Sequence, residues 1–498
     1  MQGSRLLRLR AVKAFIHMRL PSYPWVLLII FVVTLPLVNP WVRGDGVGYY
    51  AYVRALLVEH HLSFENDWRR ANLSFRMYAV DVEGHIDRTC YTNTGHLDNR
   101  YAVGASMLWA PFLVPVHAVM RALHRLGLGV RVDGFSMPYV VTMALATALY
   151  GFVGLWISFR LASVYVPERW TFLATLGVWF ASSLLVYMYF DPAYSHAHSA
   201  FAAALFLWYW CRTRPQRTVA QWAILGLLSG LMLDIYYLNI SILLMPFLES
   251  VRRYWLAWRA PQHAWQALRR LFLANAIYFC ATTVAFLPTL ITRQIIYGHP
   301  LEFGYGDLGP SHWIHPGLWQ PLLSSNHGLL TWTPITLPAM VGLVLLRRYD
   351  RELAVYSLAA VATLYYIITC HPDWHGLSSY GNRFFISLTP FFILGLAVTL
   401  HEASRGFKHA RTTYVTSALV IGGLILWNLG FVFQWGTGLV PHRGPISWKR
   451  VAYNQVEVVP GRLGSELKSY FTNRGEMMQR IELEDVQQLL REQGQVGD

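Results

Sequence analysis

The residue whose surroundings most favour chemistry is Asp45, which follows the first apolar segment and is flanked by Gly44 and Gly46. A carboxylate between two glycines is hard to explain by packing alone, and the glycines leave room for a ligand to approach the backbone closely. A carboxylate in such a position is suited to accept a proton from a reacting hydroxyl group. We therefore predict that Asp45 is a catalytic general base.

Other polar and aromatic side chains stand near the ends of later apolar segments. Aromatic faces and hydrogen-bonding groups suit a sugar, and arginine suits a phosphate because its guanidinium binds two oxygens at once. Two simpler explanations stay open, because Trp and Tyr at span ends commonly anchor helices in the interface and Arg there can extend its charge to the head groups. The candidates are Arg100, Arg293 and Arg383 for a phosphate, and Tyr49, Tyr50, Tyr101, Tyr194, His196, Trp374, His375 and Asn382 for the rest of a substrate.

The sequence identifies no cofactor and leaves metal dependence open. His371 and His375 are four residues apart, a spacing that on a helix would place two ligands on one face. Pro372 lies between them and disfavours a helix there. The four cysteines show no spacing typical of a metal site or a disulfide framework.

The composition is that of a membrane protein. Of 498 residues, 54% are hydrophobic and only 14% are charged, whereas soluble domains carry about 25% charged residues. The net charge of +14 comes mostly from Lys and Arg in short loops between apolar segments, as the positive-inside rule requires. This distribution excludes a nucleic-acid-binding module and predicts an all-α polytopic membrane protein.

The charge pattern also predicts the topology. The basic N-terminus stays cytoplasmic, the first span runs from Pro24 to about Trp41, and Asp45 emerges on the outer face. If residues 101–120 lie in the outer interface without crossing, the Arg-rich loops that follow all become cytoplasmic. The stretch 219–250 then crosses an even number of times, either as two short spans with a turn near Tyr236–Asn239 or as one re-entrant excursion. The other predicted spans, which bring the total to about eleven, are 136–159, 170–190, 194–211, 268–290, 328–346, 352–370, 384–401 and 412–433.

We divide the chain into three parts. Residues 1–23 form a cytoplasmic basic N-terminus, and residues 24–434 form a transmembrane domain with a folded external loop over 43–135. Residues 435–498 form an external C-terminal tail. The tail has amphipathic stretches around 463–471 and 476–491, which predict one or two short helices near the outer surface.

The order of a span, an early external Asp and a long first loop resembles the GT-C superfamily of integral membrane glycosyltransferases. This class includes protein O-mannosyltransferases and the lipid A aminoarabinose transferase. Asp45 in Arg-Gly-Asp-Gly matches the acidic residue that follows the first span in that class, and Asn99-Arg100-Tyr101-Ala-Val-Gly104 is similar to its basic–aromatic segment. Three further strings resemble uncharacterised bacterial members: residues 297–305, 324–334 and 374–383.

The resemblance implies a GT-C-like bundle of about eleven transmembrane helices, with interfacial helices in a large first external loop. It also implies inverting transfer of a sugar from a polyprenyl-phosphate-linked donor to a lipid, glycan or protein acceptor, with Asp45 as general base and the helix at 101–120 as one wall of a lipid groove. The expected location is the bacterial inner (plasma) membrane, with the active site facing the periplasm or exterior. Partners are then the lipid donor, the acceptor and membrane lipids, and no nucleic acid.

Two other functions stay open from the residues alone. A membrane transporter or flippase of envelope glycolipids would need polar groups near the bilayer midplane, and Asp234 is the best residue for that role. A membrane acyltransferase would need a histidine base such as His198 or His327. Most polar residues lie at span ends, which disfavours the transporter, and the assignment to sugar transfer rests on the resemblance.

Overall fold

A computed structural model describes residues 22–77, 79–81, 83–259, 264–304, 309–406 and 410–492. Helices account for 74% of the chain, and the strand-type pairing within the described ranges is limited to the bridges Val80–Ile86 and Tyr91–Leu97 in the first loop. The all-α prediction is therefore confirmed. Tyr305, which ends the first of the three strings, and most of the basic N-terminus lie outside the described residues.

The helices are labelled in chain order. They are α1 (Tyr23–Thr34), α2 (Asp45–Val58), α3 (Glu65–Arg70), α4 (Leu73–Arg76), α5 (Gly104–Arg125), α6 (Met137–Ala162), α7 (Glu168–Phe180), α8 (Leu184–Tyr189), α9 (His196–Thr213), α10 (Val219–Ile235), α11 (Leu244–Arg259), α12 (Ala264–Tyr297), α13 (Gly309–Ile314), α14 (Gln320–Leu323), α15 (Leu329–Trp332), α16 (Thr336–Leu345), α17 (Arg351–Thr369), α18 (Thr389–Arg405), α19 (Ala410–Gly436), α20 (Trp448–Tyr453), α21 (Val459–Thr472) and α22 (Arg474–Glu492).

Six of the described helices are long and apolar enough to span a membrane: α5, α6, α12, α17, α18 with its preceding 3₁₀ turn, and α19. The last five coincide with predicted spans, which supports an integral membrane protein. The sixth, α5, is the segment that the charge pattern places in the interface. Its outer-face position and the total of about eleven crossings stay predictions.

Two predicted spans are each broken in the structure. The segment 170–190 divides into α7 and α8, because Ser182 donates its hydroxyl to the Val178 carbonyl and accepts from the Leu184 amide. The segment 328–346 divides into α15 and α16 around Pro334, which cannot donate a backbone hydrogen bond. The break at Tyr237–Ser241, by contrast, lies where the sequence predicts a turn.

Close helix packing in the bundle depends on small residues, as is common in membranes. A Cβ added to Gly342 in α16 would lie 1.7 Å from the Gly395 carbonyl oxygen in α18, so the two backbones touch. Gly226 and Gly230 let α10 approach the backbone of α12 in the same way. The buried core includes α6, α7, α9 and α18, and the outer ends of α9 and α18 support the site described below.

The first external loop folds around its own small core. Arg54 of α2 binds the buried Asp67 of α3 through Nε and Nη2, which form one edge of the guanidinium, and the rings of Tyr52, Phe64 and Trp68 pack in the same loop. The loop therefore has its own core, which includes α2, and Asp45 begins that helix.

The C-terminal tail forms helices where the amphipathic pattern predicts them. The Tyr470 hydroxyl donates to the Leu37 carbonyl at 2.7 Å, and Arg474 donates to the Val38 carbonyl at 2.8 Å. Asn72 in the first loop donates to the Glu482 carboxylate at 3.1 Å. The tail thus binds both the end of the first span and the first external loop.

Candidate functional site

Asp45 begins α2, where the helix leaves its first amides free of intrahelical partners. The positive end of the helix dipole favours a carboxylate in this first turn. The preceding Gly44 has φ +51°, a conformation that other residues rarely adopt, and its amide donates to Asn72 Oδ1 at 2.9 Å. The turn into α2 therefore fixes Asp45 at the N-terminal end of the helix.

Asp45 has two side-chain partners from distant parts of the chain. Arg383 Nη2 lies 2.6 Å from Oδ2, and the Tyr101 hydroxyl donates to Oδ1 at 3.1 Å. The Asp45 side chain keeps 30% of its surface exposed, while that of Arg383 keeps 9%. One carboxylate edge is thus held by a cation and a phenol, and part of the group still faces the outside.

Arg383 is placed by a tight loop and by an aromatic ring. It opens the 3₁₀ turn Arg383–Leu388, and its guanidinium carbon lies 5.0 Å from the centroid of the Tyr194 ring. The loop before it has positive φ angles at Gly376, Leu377 and Gly381. These turns bring the loop back over the start of α2.

A polar cavity of about 340 Å³ opens at Asp45. Its walls come from the first loop, from Tyr194 just before α9, from the loop that ends at Arg383 and from the C-terminal tail, so four separate parts of the sequence enclose it. Four arginines and three carboxylates contribute to the wall. The charged and aromatic residues that line it are Arg43, Asp45, Trp68, Phe75, Asp98, Arg100, Tyr101, Tyr194, Arg383, Arg443 and Asp485.

The three predicted phosphate-binding arginines occupy different positions. Arg100 is exposed and lines the cavity, and Arg383 lines it beside Asp45. Arg293 is fully buried and lies outside the cavity wall. It donates to the Asn99 carbonyl and the Tyr52 hydroxyl, both at 2.9 Å, and to the Tyr101 carbonyl at 2.5 Å. Its contacts hold the backbone on either side of Arg100.

Of the predicted substrate-binding residues in the first loop and near the start of α9, two line the cavity and three are buried away from it. Tyr101 and Tyr194 line the cavity, whereas Tyr49 is buried against the Tyr101 ring. Tyr50 is buried and donates to the Gly134 carbonyl at 2.7 Å. His196 is buried below Tyr194, and their ring centroids lie 6.0 Å apart.

Trp374, His375 and Asn382 lie outside the cavity wall in the loop that shapes it. Asn382 donates to the Trp374 carbonyl at 3.0 Å, and His375 Nδ1 accepts from the Leu377 amide at 3.1 Å. Gly376, Leu377 and Ser378 of the same loop do line the cavity. The contacts of the three predicted residues therefore stabilise this part of the wall.

The glycines around Asp45 serve contacts within the protein. A Cβ at Gly44 would lie 2.4 Å from the Tyr194 hydroxyl, and one at Gly46 would lie 2.6 Å from the Ala193 Cβ. At Gly48 it would lie 1.9 Å from the Tyr101 ring. We expected these glycines to admit a ligand; in the structure they admit the side chains that surround Asp45.

Sequence reasoning missed the contribution of the C-terminal tail. Arg43 Nη2 lies 2.8 Å from Asp485 Oδ2, and His442 contacts the other oxygen of the same carboxylate. Arg443 donates to the Ser378 hydroxyl at 2.6 Å. Asp485 lies in a stretch recognised only as amphipathic, and a lone acidic residue there gives no signal of a partner in the first loop.

Electrostatics favour the charged forms of this tail contact. Burial alone would lower the pKa of Arg43, but the Asp485 and Asp191 carboxylates more than offset it and the pKa lies above its ordinary value. Burial would raise the pKa of Asp485, yet Arg43 and the His442 hydrogen bond hold it below its ordinary range. The pair therefore stays ionised at neutral pH.

One group of metal-type ligands occurs among the described residues. Asp81, Glu83 and His85 bring their ligand atoms within 4.8 Å of one another on an exposed part of the first loop. None of the three lines the polar cavity.

Comparisons with known proteins show similarity to solved structures. No protein-family model matches the chain, and no curated protein matches it. Among solved structures, the chain is similar to a crystal structure of ArnT from Cupriavidus metallidurans in the apo state. The identity is 13%, the TM-score is 0.44, and the match covers 85% of this chain and 72% of that chain.

Proposed function

We propose that this chain is a GT-C type glycosyltransferase that moves a sugar from a polyprenyl-phosphate donor to a hydroxyl group of a lipid, glycan or protein at the outer membrane face. The observation that carries the proposal is the pairing of a partly exposed carboxylate, Asp45, with an arginine, Arg383, in a cavity that three further arginines line. A reaction that removes a proton at one point and releases a phosphate at another needs both groups side by side.

The pairing defines the resting state of the base. In the structure the Arg383 guanidinium occupies Asp45 Oδ2, so this oxygen has no room for the proton of an acceptor hydroxyl. A donor phosphodiester carries one negative charge, as the carboxylate does, and offers two oxygens to the same guanidinium, so it competes with Asp45 for Arg383. Donor binding therefore draws Arg383 towards the phosphate and leaves Asp45 free to accept a proton.

The chemical step follows from this rearrangement. The acceptor oxygen attacks the anomeric carbon from the face opposite the phosphate, and its proton passes to Asp45. The new carbon–oxygen bond forms as the bond between carbon and phosphate oxygen breaks, so the configuration inverts. Polyprenyl phosphate leaves with the bonding electrons, and Arg383 and Arg100 stabilise its charge.

The remaining residues position these groups. Tyr101 holds the second oxygen of Asp45, and Arg293 fixes the backbone that carries Tyr101 and Arg100. The Tyr194 ring lies against Arg383 and limits where its guanidinium can move. Aromatic faces in the wall, including Trp68 and Phe75, offer surfaces for the sugar.

The contacts of Asp234 give no support to the transporter alternative. Asp234 is fully buried, and its Oδ1 accepts from the Thr289 amide at 3.2 Å and the Thr289 hydroxyl at 2.5 Å. Thr289 follows Pro288, which interrupts the hydrogen bonding of α12. These contacts give Asp234 a structural task, which is to join α10 to the irregular point of α12.

The proposal is tested with purified protein in liposomes and a panel of polyprenyl-phosphate sugars, with an envelope extract as acceptor pool. Mass spectrometry should show release of polyprenyl phosphate from one donor and an acceptor heavier by one sugar, with Asp45→Asn inactive. Donor that crosses the bilayer with its sugar intact, and no release from any donor, would instead identify a flippase.

A further inference from the structure

The consecutive helices α11 and α12 carry an unbalanced positive charge. The sequence has no acidic residue between Glu249 and Glu302, and in the same stretch it has five closely spaced arginines: Arg252, Arg253, Arg259, Arg269 and Arg270. Glu352 binds the first of these and Glu249 binds the second. The other three form no ion pair with a carboxylate in the part of the chain that the structure describes. Their charge therefore has no counterpart within the described protein.

These three arginines lie at one end of the helix pair. The Ser250 hydroxyl donates to Asn275 Oδ1 at 3.2 Å, which fixes the register of the two antiparallel helices. Counted from this contact, Trp255 of α11 lies level with Arg270 of α12. Arg259 follows one turn further along α11, about 6 Å away at 1.5 Å per residue. Positive and aromatic side chains from both helices therefore share one short stretch of the pair.

We call residues 255–259 of α11 and 265–270 of α12 the hairpin tip. It extends about 8 Å along the helix axes, close to the depth of about 5–7 Å that the head groups occupy on each side of a bilayer. Trp258 and Trp265 are 72% and 77% exposed. Between them on the sequence, the Arg259 guanidinium carbon lies 4.0 Å from the centroid of a third tryptophan ring, that of α11 residue 255. Exposed tryptophan beside arginine is typical of a helix at a membrane interface.

The position of the hairpin tip along α12 places it at the membrane face opposite Asp45. Residues 271–292 carry no charge and extend over about 33 Å, which is enough to cross roughly 30 Å of hydrocarbon. Arg270 precedes this stretch. Arg293 follows it and donates to the Tyr101 carbonyl beside the polar cavity. The charge pattern predicts that the face with the hairpin tip is cytoplasmic.

We propose that the hairpin tip binds the head groups of anionic phospholipids in the leaflet opposite the polar cavity. Arg259, Arg269 and Arg270 supply positive charge and paired donors for lipid phosphates. Phe272 and Leu273, directly below the tip, are exposed apolar side chains at the depth of the acyl chains. An acidic protein would match the arginines alone, whereas a phospholipid matches both the arginines and the apolar side chains beside them. The inference does not depend on the reaction proposed above.

The first test measures lipid binding by native mass spectrometry of the full chain in detergent. Arg259→Gln combined with Arg270→Gln should weaken the tightest binding of dioleoyl phosphatidylglycerol about 30-fold and leave the weak binding of phosphatidylcholine unchanged. The matched control combines Arg212→Gln with Arg351→Gln, which removes the same charge from exposed positions of other helices, and it should keep the wild-type affinity. Equal weakening in both double variants would assign the binding to the overall charge of this face and overturn a site at the hairpin tip.

The second test uses the wild-type protein in nanodiscs, so it stands even if the double variant at the hairpin tip fails to fold. Phosphatidylglycerol with a photoreactive group near its head group should label peptides of α11 and of the first turns of α12. Excess unlabelled phosphatidylglycerol should remove the label, and phosphatidylcholine and inorganic phosphate should not. Removal by inorganic phosphate would identify a site for the free ion, and labels confined to other helices would leave the hairpin tip to an acidic protein. Either result would overturn the proposal.

Discussion

Arg383 and Asp45 form an ion pair across 2.6 Å, although one opens a 3₁₀ turn late in the chain and the other opens the first helix of the external loop. The guanidinium is nearly enclosed, while almost a third of the carboxylate surface is exposed. The predicted base and the cation are therefore in direct contact, and an anionic ligand that binds Arg383 would release Asp45 from the ion pair.

Asp45→Asn should reduce transfer by about 10²–10⁴-fold, the usual cost of losing a general base. Donor binding should persist, because Asn no longer competes with the phosphate for the Arg383 charge. Transfer is followed by release of polyprenyl phosphate, and binding by a donor titration. Asp98→Asn is the matched control, since Asp98 lines the same cavity but contacts Tyr297. Comparable transfer by both variants would remove Asp45 from the mechanism.

The three arginines should respond differently to alanine substitution. Arg100→Ala and Arg383→Ala should each weaken donor binding by roughly 10- to 100-fold, as expected for a lost charge-assisted hydrogen bond of about 1.5–3 kcal/mol. Arg100→Lys should restore part of the loss, because lysine keeps the charge but not the planar fork.

Arg293→Ala should instead lower the thermal midpoint of unfolding, because it removes one donor from each of two buried carbonyls, Asn99 and Tyr101, and from the Tyr52 hydroxyl. Circular dichroism or a dye-based melt separates this effect from a loss of binding. A stable Arg293→Ala protein with weakened donor affinity would place the phosphate on a different loop.

Gly48→Ala should affect Asp45 indirectly, through the position of Tyr101. The new methyl group would lie 1.9 Å from the Tyr101 ring, which must then move away from Asp45. We expect transfer to fall about tenfold, and Tyr101→Phe, which removes only the hydroxyl, to fall similarly. Gly461→Ala in α21 has no atom within 4 Å of the added carbon and should keep full activity. Full activity in Tyr101→Phe would show that this hydrogen bond has no role in transfer.

The tail should leave the first loop in acid. Asp485 has a lowered pKa in the folded state, so its stabilising effect is complete above its ordinary value of about 4 and is lost as the pH falls through the folded value. Spin labels on Arg69→Cys and Leu483→Cys should therefore move apart below about pH 4. Asp485→Asn should show the longer distance already at neutral pH.

Glu482, one turn earlier on the same helix, provides the internal control for this acid response. Burial raises its pKa, so its protonation acts in the opposite direction. Glu482→Gln should therefore leave the acid-dependent separation in place. If the acid-dependent increase in the label distance is lost in Glu482→Gln but still occurs in Asp485→Asn, then Glu482 and not Asp485 is the group whose protonation releases the tail.

The placement of α5 is tested by labelling. Single cysteines introduced as His85→Cys and His124→Cys, on either side of α5, should both react with an impermeant reagent from the outer side. Both positions are exposed, so lack of reaction cannot come from burial. Reaction from opposite sides would show that α5 crosses and would invert the topology of every later loop.

The sequence by itself determined the features that depend on local composition. Apolar length and the scarcity of charge predict membrane helices, and the Arg-rich loops predict an orientation that places Asp45 outside. Amphipathic periodicity predicts the tail helices, and the turn near Tyr236 follows from the flanking charges. Asp45 itself was recognisable because an acidic residue between glycines has few structural explanations.

Only the tertiary structure decided which residues meet. Arg293 and Arg383 both stand at span ends in the sequence, yet one binds carbonyls in a buried position and the other pairs with Asp45. The contacts of Gly44, Gly46 and Gly48, and the approach of Asp485 to Arg43, depend on chain segments far apart. Local patterns carry no information about such distances, because helix packing and loop closure are set by the shape of the whole bundle.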